Sequence, residues 1–330
     1  MRTKRVLLVE MQKGHGVTLI PQIELLRSAG YAVTLVTGDH QLDLPFLKTY
    51  GKRDEVEVIV VPRWKPRWMR FAVFGRLWFR RFDFVVVNTL RGMSWKLGLV
   101  LYPFYLLYPG DVRYLAHNIT PEKDSRFFQL LQHRANHIYV LSDKIYDYSA
   151  QHSPDWFQRK LTYFYPAYFG NLVTDPQLQD SKIIFAIIGK VDRNRRNYDA
   201  LIATFAHLAN DDLRERIELY IMGDATTEKG RQLEAEAERC GLLNTVVYLQ
   251  NEPFRQYDDY ARDLNRAHYI LNLSDGALEI GAKYNAYSSS AVGMLSRAFA
   301  LPMLVATNIQ PDEDLSPFCL RYDLEDVLAG

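Results

Sequence analysis

Residues 182–197 read Lys-Ile-Ile-Phe-Ala-Ile-Ile-Gly-Lys-Val-Asp-Arg-Asn-Arg-Arg-Asn. The apolar run Ile183–Ile188 stops at Gly189, crosses a loop carrying Lys190, Arg193, Arg195 and Arg196, and then enters a helical pattern. A strand apolar on both faces belongs between two layers of helices, in a parallel sheet. A glycine turn, cations and a helix start at the C-terminal edge of such a sheet present positive charge and free N–H groups to a diphosphate. A solvated basic loop is the competing reading of the same residues, so the rest of the chain has to decide.

Outward from this stretch, strand and helix patterns alternate along the whole chain. Strands are predicted near Arg5–Val9, Ala32–Thr37, Val56–Pro62, Phe84–Asn88, Val112–Ala116, His137–Leu141 and Leu161–Phe164, then Lys182–Ile188, Ile217–Met222, Val246–Leu249, His268–Leu273 and Pro302–Ala306. Helices are predicted at Thr18–Ala29, Met93–Leu107, Ser125–Arg134 and Asp143–Gln151, then Arg195–Leu208, Thr227–Cys240, Arg255–Arg266 and Ser289–Ala300. Such alternation implies α/β architecture with doubly wound parallel sheets. It breaks at the polar segment Gly170–Asp180, which contains Pro176. The expected organisation is a Rossmann-like domain over 1–168, a linker over 169–180 and a second Rossmann-like domain over 181–330. A length of 330 residues suits two domains.

Hydrophobic and charged fractions of 48% and 24% are those of an ordinary globular protein. The net charge of +1 supplies no global field for nucleic acid, so an electrostatic partner must meet a local patch. Two cysteines, Cys240 and Cys319, rule out a disulfide framework and fit a reducing cytosol. The run Val6–Val9 stops at Glu10 and is too short for a signal peptide. Leu97–Pro109, the longest apolar stretch, falls short of the roughly 20 residues a bilayer span needs.

Chemistry-bearing residues gather at predicted strand ends. Gly14, His15 and Gly16 follow the first strand; the glycines permit a tight turn under a ligand, and a histidine there can serve as a general base. A surface-loop histidine is the plainer alternative. His117 follows the strand ending at Ala116, at the sheet edge where ligands bind, or else is a hydrogen-bonded core histidine. Gly223 and Asp224 close another strand. Tyr287, Ser288, Ser289 and Ser290 precede a helix, where hydroxyls act as N-caps or as phosphate donors. Gly189, Lys190, Arg195 or Arg196 and the serine triplet all sit at strand C-termini of one domain, so a shared diphosphate site is expected. The acidic pairs Asp211-Asp212 and Asp258-Asp259 read as solvated surface, and no Cys/His spacing suggests zinc, so no metal is expected.

Pro62–Phe82 holds seven Arg/Lys, no acidic residue and seven aromatics, with three of the five tryptophans. Arg63, Trp64, Arg67, Trp68, Arg70 and Trp78 recur at near-helical spacing, the pattern of a basic amphipathic helix on a membrane surface. Near an anionic leaflet each cation contributes on the order of 1 kcal/mol. Single-stranded nucleic acid is the rival partner, and packing into the domain's own core is the third reading. The neighbouring apolar stretch Leu97–Tyr108 favours membrane over nucleic acid.

Taken together these features resemble GT-B glycosyltransferases, in particular the family-four group of bacterial polysaccharide and glycolipid enzymes, over Val6 to about Ala306. Gly189-Lys190, with Arg195 five residues on, looks like that group's strand-end Gly-Arg and following Lys; Arg196-Asn197 is an alternative register. Met222-Gly223-Asp224 and Ala135–Ser142 are similar to two further strand-end motifs, and His117 falls where the group has a histidine on the donor sugar. Gly14–Gly16 looks like the base-bearing loop of inverting relatives. The group's paired glutamates align with Tyr287 and Leu295, and Glu279 is the nearest carboxylate.

The resemblance implies a metal-independent hexosyltransferase that uses a nucleotide-diphosphate sugar as donor and needs no cofactor. A lipid-linked or polysaccharide acceptor is implied with it, at the cytoplasmic face of the inner membrane, where the enzyme would be peripherally associated. A sugar-nucleotide epimerase of the same architecture and a non-catalytic relative are the alternatives.

Overall fold

The computed structural model describes residues 3–11, 16–39, 56–61, 67–88, 95–117, 126–167, 182–194, 196–207, 215–250, 257–276 and 291–323. The chain divides into two compact units, Met1–Pro166 and Ala167–Gly330. The linker expected at 169–180 lies outside the described residues.

The first unit runs β1 (Lys4–Glu10), α1 (Gly16–Ser28), β2 (Tyr31–Gly38), β3 (Val56–Val61), α2 (Arg67–Trp78), β4 (Phe84–Asn88), α3 (Trp95–Leu107), β5 (Asp111–Ala116), α4 (Arg126–Arg134), β6 (His137–Val140), α5 (Asp143–His152), α6 (Asp155–Gln158) and β7 (Leu161–Tyr163). Its seven-stranded sheet has the order β3-β2-β1-β4-β5-β6-β7, parallel throughout. The second unit runs β8 (Ile183–Ile187), α7 (Tyr198–His207), β9 (Ile217–Ile221), α8 (Glu228–Arg239), β10 (Val247–Leu249), α9 (Tyr257–Arg266), β11 (Tyr269–Asn272), α10 (Ala291–Phe299), β12 (Met303–Ala306) and β13 (Cys319–Tyr322). Its six strands lie in the order β10-β9-β8-β11-β12-β13, again all parallel.

Each sheet grows outward from its first strand and then resumes on that strand's other side. The reversal falls between β1 and β4 in one sheet and between β8 and β11 in the other. Loops leaving those neighbours diverge, and the C-terminal edge opens into a crevice there.

Strand β8 shows why the apolar runs carry no polar alternation. Ile184, Ala186 and Ile188 pack on one face with Leu264 of α9 and Val292 and Phe299 of α10. Ile187 packs on the other with Tyr198 and Ile202 of α7 and Leu233 of α8. Both faces are covered, so successive side chains of the strand are all apolar. Each large aliphatic side chain buried this way contributes roughly 1.5–3 kcal/mol. In the first unit Leu7, Val9, Val85 and Val87 share a core with Phe74 and Leu77 of α2 and Phe104 and Tyr105 of α3.

Three local features differ from expectation. Strand β13 was not foreseen, because Cys-Leu-Arg-Tyr is an edge strand with exposed positions rather than an apolar run. The four-residue α6 is too short to show a periodicity. Helix α7 begins at Tyr198 rather than Arg195, since the Asn197 side chain accepts a hydrogen bond from the Ala200 N–H (3.1 Å) and caps it.

Candidate functional site

The β8–α7 loop forms one wall of the crevice in the second unit. Gly189 adopts φ +98°, a left-handed conformation that glycine tolerates and other residues resist. A β-carbon there would also stand 2.6 Å from the Arg196 guanidinium. Arg196 is only 9% exposed, and its guanidinium donates to the Lys190 carbonyl. The Arg196 N–H bonds the Asp192 carbonyl (3.1 Å), and Asn197 N–H bonds Leu273 O (3.1 Å) just beyond β11. Arg196 also bridges to Ser274, so the two sides of the crevice are stitched together by backbone. Beneath lies Tyr198, whose phenol is pushed up by burial and partly offset by the Arg196 charge.

The four cations of this loop divide by role. Arg193 is committed to structure, paired with Asp199 at 3.0 Å and with Glu236 of α8. Arg196 lies under the loop and holds the Lys190 backbone. The Lys190 side chain is exposed, and among the described residues it has no ion-pair partner. Arg195 lies outside the described residues, as do Tyr287, Ser288, Ser289 and Ser290. The structure therefore brings Gly189, Lys190 and Arg196 together and leaves the serine triplet undescribed.

Gly223 meets the loop from the next strand. A β-carbon on it would collide with the Gly189 carbonyl, so these two glycines let the ends of β8 and β9 close on each other. Asp224 is a turn residue: its Oδ1 accepts from the Thr226 N–H (2.9 Å) and hydroxyl (2.6 Å). Thr227 then caps α8 through Gly230 N–H (3.1 Å).

On the opposite wall, Asp275 lies in the loop just beyond β11 and is 9% exposed. Its Oδ1 accepts from the Asn308 amide at 2.8 Å, while Asn308 Oδ1 accepts from Gly276 N–H at 3.2 Å. Tyr322 of β13 donates to Asn272 O (2.9 Å), and burial, with the Asp275 charge adding to it, pushes that phenol well up. Sequence reading did not weigh Asp275, Asn308 or Tyr322 together, because they come from three separate strand ends. Among the described residues no group of three or more His, Cys, Asp or Glu is placed to hold a metal. Leu295, aligned with one of the expected glutamates, packs partly buried against the second unit's core.

In the first unit Gly14 and His15 lie outside the described residues, and Gly16 opens α1. His117 is half-buried directly after β5. The sheet edge also carries polar residues that sequence reading passed over: Glu10 and Asn88 end β1 and β4, Thr37 is next to last in β2, and they are 0%, 1% and 0% exposed. For Glu10 and Asn88 the signal was a polar residue closing an apolar run; Thr37 shares its strand with Thr34 and carried no such signal.

Of the expected surface residues, Arg63 and Trp64 lie outside the described residues, and the side chains of Arg67, Trp68 and Arg70 are not described. Trp78 does not belong to that surface. It is partly buried against the first unit's core, edge-on to Phe104 with ring centroids 6.0 Å apart. Helical periodicity turns Phe74, Leu77 and Trp78 inward together. The same periodicity turns Phe71 and Gly75 outward, and Phe79, just past the helix end, follows them; Phe71 and Phe79 are 52% and 87% exposed.

No family model matches the sequence, and no curated protein matches it. Solved structures do. Anabaena HepE, in complex with UDP and glucose, matches with TM-score 0.61 and 16% identity over 93% of this chain and 81% of that one. The fold is GT-B. An α-glucosyltransferase bound to UDP and a 13-mer DNA matches with TM-score 0.62 and 12% identity, covering 99% and 88%. A UDP-GlcNAc 2-epimerase from Methanocaldococcus jannaschii matches with TM-score 0.58 and 10% identity, covering 98% and 91%. Transferases and epimerases thus share this GT-B architecture, and the site has to discriminate between them.

Proposed function

We propose that this GT-B protein is a metal-independent hexosyltransferase that moves a sugar from a nucleotide-diphosphate donor to a lipid-linked or glycan acceptor. The observation that carries this reading is the Gly189–Lys190 turn at the reversal between β8 and β11. It offers the exposed Lys190 cation beside a left-handed glycine, with Arg196 bracing the Lys190 backbone. Positive charge fixed at that edge stabilises the charge that develops on a departing diphosphate. Arg195 and the hydroxyls of Ser288–Ser290 would complete the anion pocket. His15 would take the proton of the acceptor hydroxyl if the reaction inverts, and His117 would contact the donor sugar.

Calorimetric titration with UDP, GDP and ADP, followed by the matching sugar nucleotides, tests the donor site. Tight binding of one diphosphate, weakened in Lys190→Ala with an unchanged melting temperature, supports it; no response to any nucleotide removes it and favours a non-catalytic relative.

The membrane part of the proposal rests on exposed Phe71, Phe79 and Leu107, flanked by exposed Arg76. Among the described residues no helix is long and apolar enough to cross a bilayer, so contact would be interfacial. Co-sedimentation with anionic liposomes, reduced in Phe71→Ser with Phe79→Ser, checks it. The epimerase reading is favoured by the Methanocaldococcus likeness and has no use for such a surface. Incubation with UDP-GlcNAc and analysis of the sugar released separates the two chemistries.

A further inference from the structure

The strands of the first sheet all run parallel, so the helices between them end at the edge where the strands begin, opposite the crevice. That N-terminal edge is one stitched surface. Asp83 N–H bonds Arg5 O (2.8 Å), Phe82 N–H bonds the Tyr108 hydroxyl (3.3 Å) and Asn136 N–H bonds Val112 O (2.7 Å). Lys160 Nζ then donates to His133 O (2.7 Å), so the starts of β1, β4, β5, β6 and β7 are tied in turn. Helix ends would turn their negative dipole ends to solvent here. Arg134 offsets that of α3 by donating to the Leu106 and Gly110 carbonyls, 3.1 Å each.

Positive charge is in excess along this edge. Arg80 and Arg113 are paired, with Glu57 and Asp111, and Asp83 accepts from the Arg5 N–H (2.6 Å). Lys4, Arg81 and Arg159 are exposed and have no ion-pair partner among the described residues, with exposed Asp155 opposing them. From β1 to β7 they span four strand spacings, about 19 Å. Where α2 and α3 end, Phe79 and Leu107 are 87% and 66% exposed. A protein partner would need a contiguous apolar core; apolar tips among dispersed cations suit a layer of anionic headgroups.

We propose that the first unit meets an anionic bilayer end-on, through the N-terminal edge of its sheet, so that its crevice opens away from the lipid. The seven residues of β1 span about 23 Å. A membrane-anchored acceptor therefore bridges that distance with a glycan of several sugars, and a lipid carrying a single sugar falls short. Only this last consequence rests on the sugar-transfer reading.

Sedimentation of the full chain with vesicles of phosphatidylglycerol and phosphatidylcholine, one part to two, against phosphatidylcholine alone, is read beside UDP titration. Arg81→Gln and Arg159→Gln should each weaken binding to the anionic vesicles about fivefold at low salt, with melting temperature and UDP affinity unchanged. Phe79→Ser should weaken it more than Phe71→Ser, since Phe71 lies about 12 Å farther along α2. Full binding by both arginine variants overturns end-on docking, and so do equal losses from the two phenylalanines, the mark of a protein lying along α2. Absence of binding to either vesicle also overturns it and turns this edge toward an acidic protein; UDP binding in the same samples leaves the donor site standing. The expected vesicle pattern in a protein that ignores every nucleotide keeps this surface and sinks the transferase reading instead.

Discussion

The carbonyl oxygen of Gly189 fills the place where a β-carbon on Gly223 would stand. Two residues 34 positions apart therefore have to be read as one unit, because the ends of β8 and β9 approach closely only when one of them lacks a side chain. The loop that presents Lys190 is seated on that contact.

Gly223→Ala should destabilise the second unit by about 1–3 kcal/mol, the usual range for overpacking a closed site. It should also shift the Lys190 loop, so nucleotide affinity falls with stability. Thermal denaturation alongside UDP titration checks both, and an unchanged melting curve would remove the close contact from consideration.

Lys190 and Arg193 sit three residues apart and should behave oppositely. Lys190→Ala leaves stability within about 0.5 kcal/mol, as for a surface side chain, and weakens a bound diphosphate roughly tenfold or more. Arg193→Ala releases Asp199 and Glu236 and should lower stability by about 1 kcal/mol, since the pairs are only partly buried. Equal effects of the two substitutions on either measurement would contradict the division of roles.

Arg297 of α10, 7% exposed, holds Asp312 at 2.7 Å and Asp314 at 2.5 Å. Although burial opposes its charge, these two carboxylates raise its affinity for the proton above the ordinary arginine value. Arg297→Met takes the guanidinium away from the buried Asp312 carboxylate, and a loss of up to about 3 kcal/mol is expected in chemical denaturation. Adding Asp312→Asn should recover part of it.

Glu57 of β3 is held below the ordinary carboxylate value by its hydrogen bonds to Arg80, against a smaller opposing effect of burial. A folded value below the unfolded one means the pair stabilises the fold above about pH 4. That stabilisation is lost as pH falls through the lowered value. Both side chains are over a third exposed, so the gain stays under about 1 kcal/mol. Melting temperatures of wild type and Glu57→Gln should differ slightly at neutral pH and converge in acid; a constant gap from pH 7 to 3 would rule out this titration.

Strand β8 was legible because an unbroken apolar run has one stable home, a sheet covered on both sides, and the same logic located most of the other strands. Gly189 and Lys190 were legible as a turn and a cation. What could not be read locally was which cation does what. Arg193, Arg195 and Arg196 look alike in sequence, and only the positions of Asp199, Glu236 and the Lys190 carbonyl distinguish the described two. Trp78 likewise looked like its neighbours until Phe104 appeared beside it.

Hydrophobic pattern and turn chemistry, written residue by residue, determined that this chain builds two parallel α/β sheets with a basic glycine turn opening the second. The order of strands within each sheet, and with it the meeting of Glu10 with Asn88 and of Gly189 with Gly223, was decided in three dimensions. Those neighbours are brought together by strand pairing between distant segments, and no periodicity along the chain encodes which strand lies next to which.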